Sequence, residues 1–139
     1  IDSTSVRGHV SAAGGKGGLV RTLLVDHAAA YGKIHARCDN QGLPIGFILT
    51  GGERNDITQI EPLLQGLKAG HVLADKGYDG QRAMDAIAAS GAKPVVPRRT
   101  ITAKWRSFDA TIYKDRNLIE RFFSKIKHFR RIATRYDKL

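Results

Sequence analysis

The stretch Tyr113-Lys-Asp-Arg-Asn-Leu-Ile-Glu-Arg-Phe-Phe-Ser-Lys-Ile-Lys127 decides how this chain is read. Ile119, Phe122, Ile126 and Phe129 follow at intervals of three, four and three, which predicts a helix laying an apolar stripe on a core. The alternation of a strand does not fit. Tyr113, Arg116, Glu120 and Lys127, offset by three, four and seven, form a second, polar row along one side of that helix. Lys127 lies two turns beyond Glu120, roughly 10 Å along the axis, a separation suited to holding a phosphate beside one being cut. Taken alone, Glu and Lys on a helix flank are ordinary surface residues, worth about 0.2–0.5 kcal/mol per pair.

Working outward, two further carboxylates stand where the same chemistry would want them. Ile1 to Val6 reads as a short strand with Asp2 at its end, followed by the glycine-rich 12–18 loop. Lys33 to Asp39 alternates, with Ile34, Ala36 and Cys38 on one face and Lys33, His35, Arg37 and Asp39 on the other. A turn at 39–42 returns it as the strand Pro44 to Thr50. Asp56 is the expected cap of a helix carrying Ile57, Ile60, Leu63, Leu64 and Leu67 and closed by Gly70. His71 to Ala74 is a buried strand that ends at Asp75. A helix over 81–89 and a strand over 93–97 follow, then a polar connection over 98–112. The order strand, strand, strand, helix, strand, helix, strand, helix predicts an α/β fold, a mixed sheet flanked by helices, and three carboxylates that could meet at one sheet edge.

At 139 residues, the chain has the length of one domain, and its 42% apolar content suffices for a core. Lysine and arginine number 23 against 13 acidic residues, a net charge of +10, which suits a polyanion such as DNA, although a ribosomal or membrane-surface protein would look similar. No apolar run approaches the roughly 20 residues needed to span a bilayer. A soluble, cytoplasmic, nucleoid-associated protein is expected. Cys38 is the single cysteine and reads as a small buried hydrophobe.

Cutting or exchanging a phosphodiester requires an activated water or hydroxyl, neutralisation at phosphorus and help for the leaving oxygen, which two metal ions about 3.5–4 Å apart supply. Magnesium takes hard oxygen ligands and keeps several waters, so Asp2, Asp75 and Glu120 suffice as ligands, with manganese able to substitute. Arg116 and Lys127 would position flanking phosphates, and Tyr113 could stack or hydrogen-bond. The chain-wide charge excess adds Arg130 and Arg131, in the basic run that follows, to the expected DNA contacts; the alternatives are that Asp2 is a turn residue, Asp75 a loop cap, His35 a hydrogen-bonded structural histidine, and that basic run a solvated surface.

These motifs together resemble the DDE transposases of bacterial insertion sequences, in the group whose last catalytic helix reads Tyr-x2-Arg-x3-Glu-x6-Lys. Tyr113, Arg116, Glu120 and Lys127 match it without a gap, as do Asp-Ser-Thr at 2–4 and Ala-Asp-Lys-Gly-Tyr-Asp at 74–79. The resemblance implies a ribonuclease-H-like catalytic domain over 1–139, holding two divalent ions through Asp2, Asp75 and Glu120. Its implied chemistry is to cut element ends and join the freed 3′-hydroxyls to target DNA, acting as a homo-oligomer on paired ends. A metal-dependent nuclease without strand transfer and a basic DNA-binding domain are the alternatives. With 44 residues between Asp75 and Glu120, the large insertion of some relatives is not expected. The resemblance also implies a preceding DNA-binding region and a complete first strand, beyond what begins here at Ile1. Relatives carry a basic, glycine-rich segment in place of Leu23 to Tyr31. One codon choice for that stretch gives Leu-Gly-Arg-Ser-Arg-Gly-Gly in another frame, which predicts a local frameshift and raises the alternative of an inactive remnant.

Overall fold

The computed structural model describes residues 1–8, 31–98, 109–129 and 134–135. The glycine-rich loop, nearly all of the Leu23 to Tyr31 segment, most of the 98–112 connection, Arg130 and Arg131 lie outside the described residues.

Strands β1 (Asp2–Gly8), β2 (Tyr31–Cys38) and β3 (Pro44–Gly51) pair antiparallel in chain order, with Asp2 opposite Ala36 and Ala36 opposite Phe47. The β2–β3 turn forms because the Asp39 carboxylate accepts from the Gln41 and Leu43 amides, both at 2.9 Å, and Gly42 takes φ 81°, a region that costs glycine nothing. Next along the chain are a 3-10 turn (Asp56–Gln59), α1 (Ile60–Leu64), β4 (His71–Leu73), a second 3-10 turn (Lys76–Tyr78), α2 (Gln81–Ala89) and β5 (Lys93–Val95). Then come α3 (Ala110–Tyr113), a third 3-10 turn (Lys114–Arg116) and α4 (Asn117–Lys127), with β6 (Thr134–Arg135) parallel to β1 at its free edge.

The α/β class agrees with the sequence reading, but the strands are distributed differently. A four-stranded sheet runs β3-β2-β1-β6, and β4 and β5 form a separate parallel pair, where a single mixed sheet was expected. A 2.6 Å hydrogen bond from the Ile1 nitrogen to the Leu73 carbonyl joins the start of β1 to the end of β4. That contact sets Asp2 beside the chain leading into Asp75.

Two apolar clusters hold these layers. Ile60, Leu64, Val72, Tyr78, Met84 and Ile87 pack between α1, α2 and the β4–β5 pair, while Ala36, Ile119 and Phe123 join α4 to the four-stranded sheet. The buried α4 stripe is therefore Ile119 and Phe123, with Phe122 and Ile126 half-buried, and Phe129 is 66% exposed. Phe129 drops out because the helix ends at Lys127, two residues earlier. Two further boundaries moved. Asn55, not Asp56, caps the segment, its side chain accepting from the Ile57 amide. The helix stops at Leu64 because Gly66 turns to φ 69°, well before Gly70. Cys38 is half-buried, short of the full burial expected.

The polar face of β2 is also covered. His35 is fully buried, its Nε2 2.9 Å from Thr50 Oγ1. Arg37 reaches across to donate to the Leu63 and Gln65 carbonyls, so the 3-10 turn and α1 lie over this side while α4 covers the other.

Candidate active site

Tyr113, Arg116, Glu120 and Lys127 do not sit on one uninterrupted helix. Asp109 caps α3 by accepting from the Thr111 and Ile112 amides at 2.8 and 3.1 Å. The backbone tightens to a 3-10 turn over Lys114–Arg116 before α4 begins, a local rewinding of the kind found where helices carry functional groups. Arg116 thus stands at the entry of α4, with Glu120 one turn on.

Three carboxylates from three separate parts of the chain meet the Arg116 guanidinium. Its Nη2 lies 2.7 Å from Glu120 Oε1, 3.4 Å from Asp2 Oδ2 and 3.7 Å from Asp75 Oδ1, and Nη1 donates to Glu120 at 2.9 Å. Asp2 arrives on β1, at the strand end nearest β4. Asp75 follows β4, and the Tyr78 amide donates back to its carbonyl at 2.9 Å. The side chains of Asp2 and Arg116 are each 15% exposed, whereas those of Asp75 and Glu120 are 42% and 52% exposed. One acid is thus sunk in the protein and two face solvent.

Burial pushes the Asp2 carboxyl above the usual carboxylate range; the Ser3 amide and Arg116 pull it back, and Asp75 adds to the rise. A neighbouring negative charge disfavours the ionised form of Asp2, and the guanidinium opposes that effect. Tyr113 sits against Arg116, its ring centroid 5.8 Å from the guanidinium carbon, a cation–π distance. Burial raises its hydroxyl. Lys127 is exposed at the far end of α4. A cavity of about 500 Å³ also reaches Arg116, lined among others by Ile1, Arg37, Cys38, His71 and Leu73, and none of the three acids lines it.

Do these residues suit a divalent cation? Their donors are hard carboxylate oxygens, the ligands magnesium prefers, and all three address one positively charged point. Ligation by magnesium runs at about 2.0–2.1 Å, shorter than any of the guanidinium contacts. The Arg116 guanidinium occupies the point the three acids share, and among the described residues no group of three His, Cys, Asp or Glu side chains is placed to hold an ion. The donor chemistry suits such an ion.

The family described as "Transposase DDE domain" matches residues 1–139. The chain belongs to the DDE transposase family. Among its relatives is a Brucella ovis protein named as a transposase for insertion sequence element IS6501, 42% identical over 114 residues, covering 76% of this chain and 83% of that protein. A Burkholderia cepacia protein named as a transposase for insertion sequence element IS402 is 33% identical over 126 residues, 81% of this chain and 57% of that protein. The transposase domain thus spans little more than half the length of the second relative. No solved structure matches it significantly. Among the described residues, no helix is long and apolar enough to cross a membrane.

Sequence reasoning placed Arg116 beside phosphates; the structure directs it at the acids. It missed Lys33 and Asp56, whose side chains meet under β2. The signal was present in the alternation of β2, whose polar face had no stated neighbour.

Proposed function

We propose that this transposase domain has a ribonuclease-H-like catalytic architecture, cuts DNA at the ends of an insertion sequence and joins the freed ends to a target. The observation that carries the reading is the convergence of Asp2, Asp75 and Glu120 on one cationic point at the junction of the two sheets. Membership of the transposase family selects DNA among the polyanions that a +10 chain could meet.

In the first step a water oxygen bonds to phosphorus and the P–O3′ bond breaks, leaving a 3′-hydroxyl and a 5′-phosphate. In the second, that 3′-oxygen bonds to a target phosphorus and gives up its proton, the target P–O3′ bond breaks, and the leaving 3′-oxygen takes up a proton from solvent. Asp2, Asp75 and Glu120 would hold magnesium, or manganese in its place, and bound divalent ions activate the attacking oxygen and stabilise the leaving one. Asp2, fixed by its Ser3 hydrogen bond at 2.8 Å and by shallow exposure, gives the set a rigid member. Asp75 and Glu120, more exposed, complete it from the solvent side. Arg116, once displaced from the acids, is within reach of a phosphate at the same place, and Lys127 lies along α4 to take a neighbouring one. Tyr113, packed on Arg116, orients it. Such a site works on paired ends, so a homo-oligomer is part of this reading.

The test is a strand-transfer assay with magnesium and a DNA duplex carrying the element's terminal sequence. A joined product of end and target DNA is expected. Cleaved ends with no joined product would instead establish a nuclease, and binding without cleavage a DNA-binding domain.

A further inference from the structure

We infer that Asp56 is a positioning residue that, with Lys33, fixes the spacing between Asp2 and Asp75. The inference rests on the transposase reading of those two acids and concerns groups that reading does not use. Asp2 lies on β1 and Asp75 two residues beyond β4, strands of different sheets, and one direct link between them is the Ile1–Leu73 hydrogen bond. A second connection runs beneath. β1 is registered on β2, with Ser3 opposite His35 and Ser5 opposite Lys33. From β2, Lys33 Nζ donates to Asp56 Oδ1 at 3.0 Å and to the Arg54 carbonyl at 2.9 Å, and the buried His35 Nδ1 lies 3.8 Å from the same carboxylate oxygen.

The other Asp56 oxygen lies against the turn that follows Asp75. A Cβ placed on Gly77 would stand 3.3 Å from Asp56 Oδ2, and one on Gly80 would stand 2.4 Å from Ile57 Cδ1. Glycine at both positions lets the Asp56–Gln59 turn press directly on the Lys76–Tyr78 turn. That second turn closes onto Asp75 through the Tyr78 amide, and the Tyr78 ring is anchored in the core. The path Asp2, β2, Lys33, Asp56, Gly77, Asp75 thus runs through neighbouring groups, and the Lys33–Asp56 pair is its charged joint. Lys33 and Asp56 side chains are 17% and 25% exposed, so the pair is shielded enough to hold a geometry that a surface pair would not. Groups behind metal ligands orient them, and here the support reaches Asp75 through the backbone of the Lys76–Tyr78 turn.

The experiment measures manganese(II) affinity of the full chain, with free ion followed by paramagnetic resonance, alongside DNA affinity and thermal unfolding. Asp56→Asn, which keeps shape and loses charge, is expected to weaken manganese binding about tenfold with DNA affinity unchanged. Gly77→Ala, which intrudes on the same contact from the other side, is expected to do likewise. Arg82→Ala, which breaks the exposed Arg82–Glu61 pair between α2 and α1, serves as a control for loss of packing alone and should leave manganese affinity at the parent value. A parent that binds manganese and an Asp56→Asn chain that binds it equally well would overturn the inference and leave the transposase reading standing. Equal weakening in Arg82→Ala would overturn it too, since general loosening would then suffice. A parent that binds no manganese would overturn the reading of the three acids, and the inference with it.

Discussion

Glu120 gives Arg116 its shortest contact, so Glu120→Gln tests charge at the acid cluster with shape retained. As a ligand in the proposed site, its loss should lower DNA cleavage by on the order of 100-fold or more, since even outer partners of metal ligands are worth about 10–100-fold. Its side chain is 52% exposed, and ion pairs that open to water contribute about 0–1 kcal/mol, so the melting temperature should move little. Cleavage equal to the parent's would remove Glu120 from the metal set. His35 allows a different measurement. Burial lowers its pKa from 6.5, against the opposing pull of Asp56, while Lys33 adds to the lowering. A histidine depressed in the folded state binds fewer protons there than when unfolded, so its contribution is complete above pH 6.5 and is lost as pH falls through that value. Chemical denaturation at pH 7.5 and 5.5 should show the parent losing stability at the lower pH. His35→Gln should show a smaller loss. An identical loss in the variant would assign the slope to other groups.

Phe123 decides at the scale of the element whether α4 holds Arg116 and Glu120 in place. It is 5% exposed and packs with Ile119 and Ala36 as the buried members of the cluster joining the helix to the sheet. Phe123→Ala should cost about 3–5 kcal/mol by lost burial plus a cavity, read as a shift of the urea midpoint, because few other side chains could close the gap. A cost under about 1 kcal/mol would show that α4 is held by something else. The helix was legible in Tyr113 to Lys127 because an apolar period survives any choice of polar neighbours, and the β2–β3 turn was legible from the Asp39 to Gly42 stretch. The 3-10 turn at Lys114–Arg116 was not legible, because charged residues suit an α-helix equally well. Nor was β6, two residues long and too short for any period. The three acids were readable as residues of the right type, two at strand ends and Glu120 on the last helix, but the separation of β4 and β5 from the main sheet depends on register, which alternation within a strand does not specify.

The whole molecule carries +10 while its acid cluster sets three carboxylates against one arginine, so the excess positive charge lies elsewhere in the chain. Sequence-independent attraction to DNA follows from that excess, and each phosphate neutralised contributes roughly 0.9 to the slope of log affinity against log salt concentration. Position along the molecule then separates contacts from background charge. Lys127 stands on α4, two turns from Glu120, whereas Lys93 begins β5 and is also exposed. If DNA tracks past the acids along α4, Lys127→Ala should reduce the salt slope by about one and weaken binding alike for end-sequence and unrelated duplexes, since a phosphate contact carries no base information. Lys93→Ala should leave the slope at the parent value. The measurement is fluorescence anisotropy of a labelled duplex from about 50 to 200 mM salt, a range over which six to ten phosphate contacts change affinity by about 10³–10⁵. Equal slopes for the two variants would place the DNA path away from α4 and detach Lys127 from the row it shares with Arg116 and Glu120.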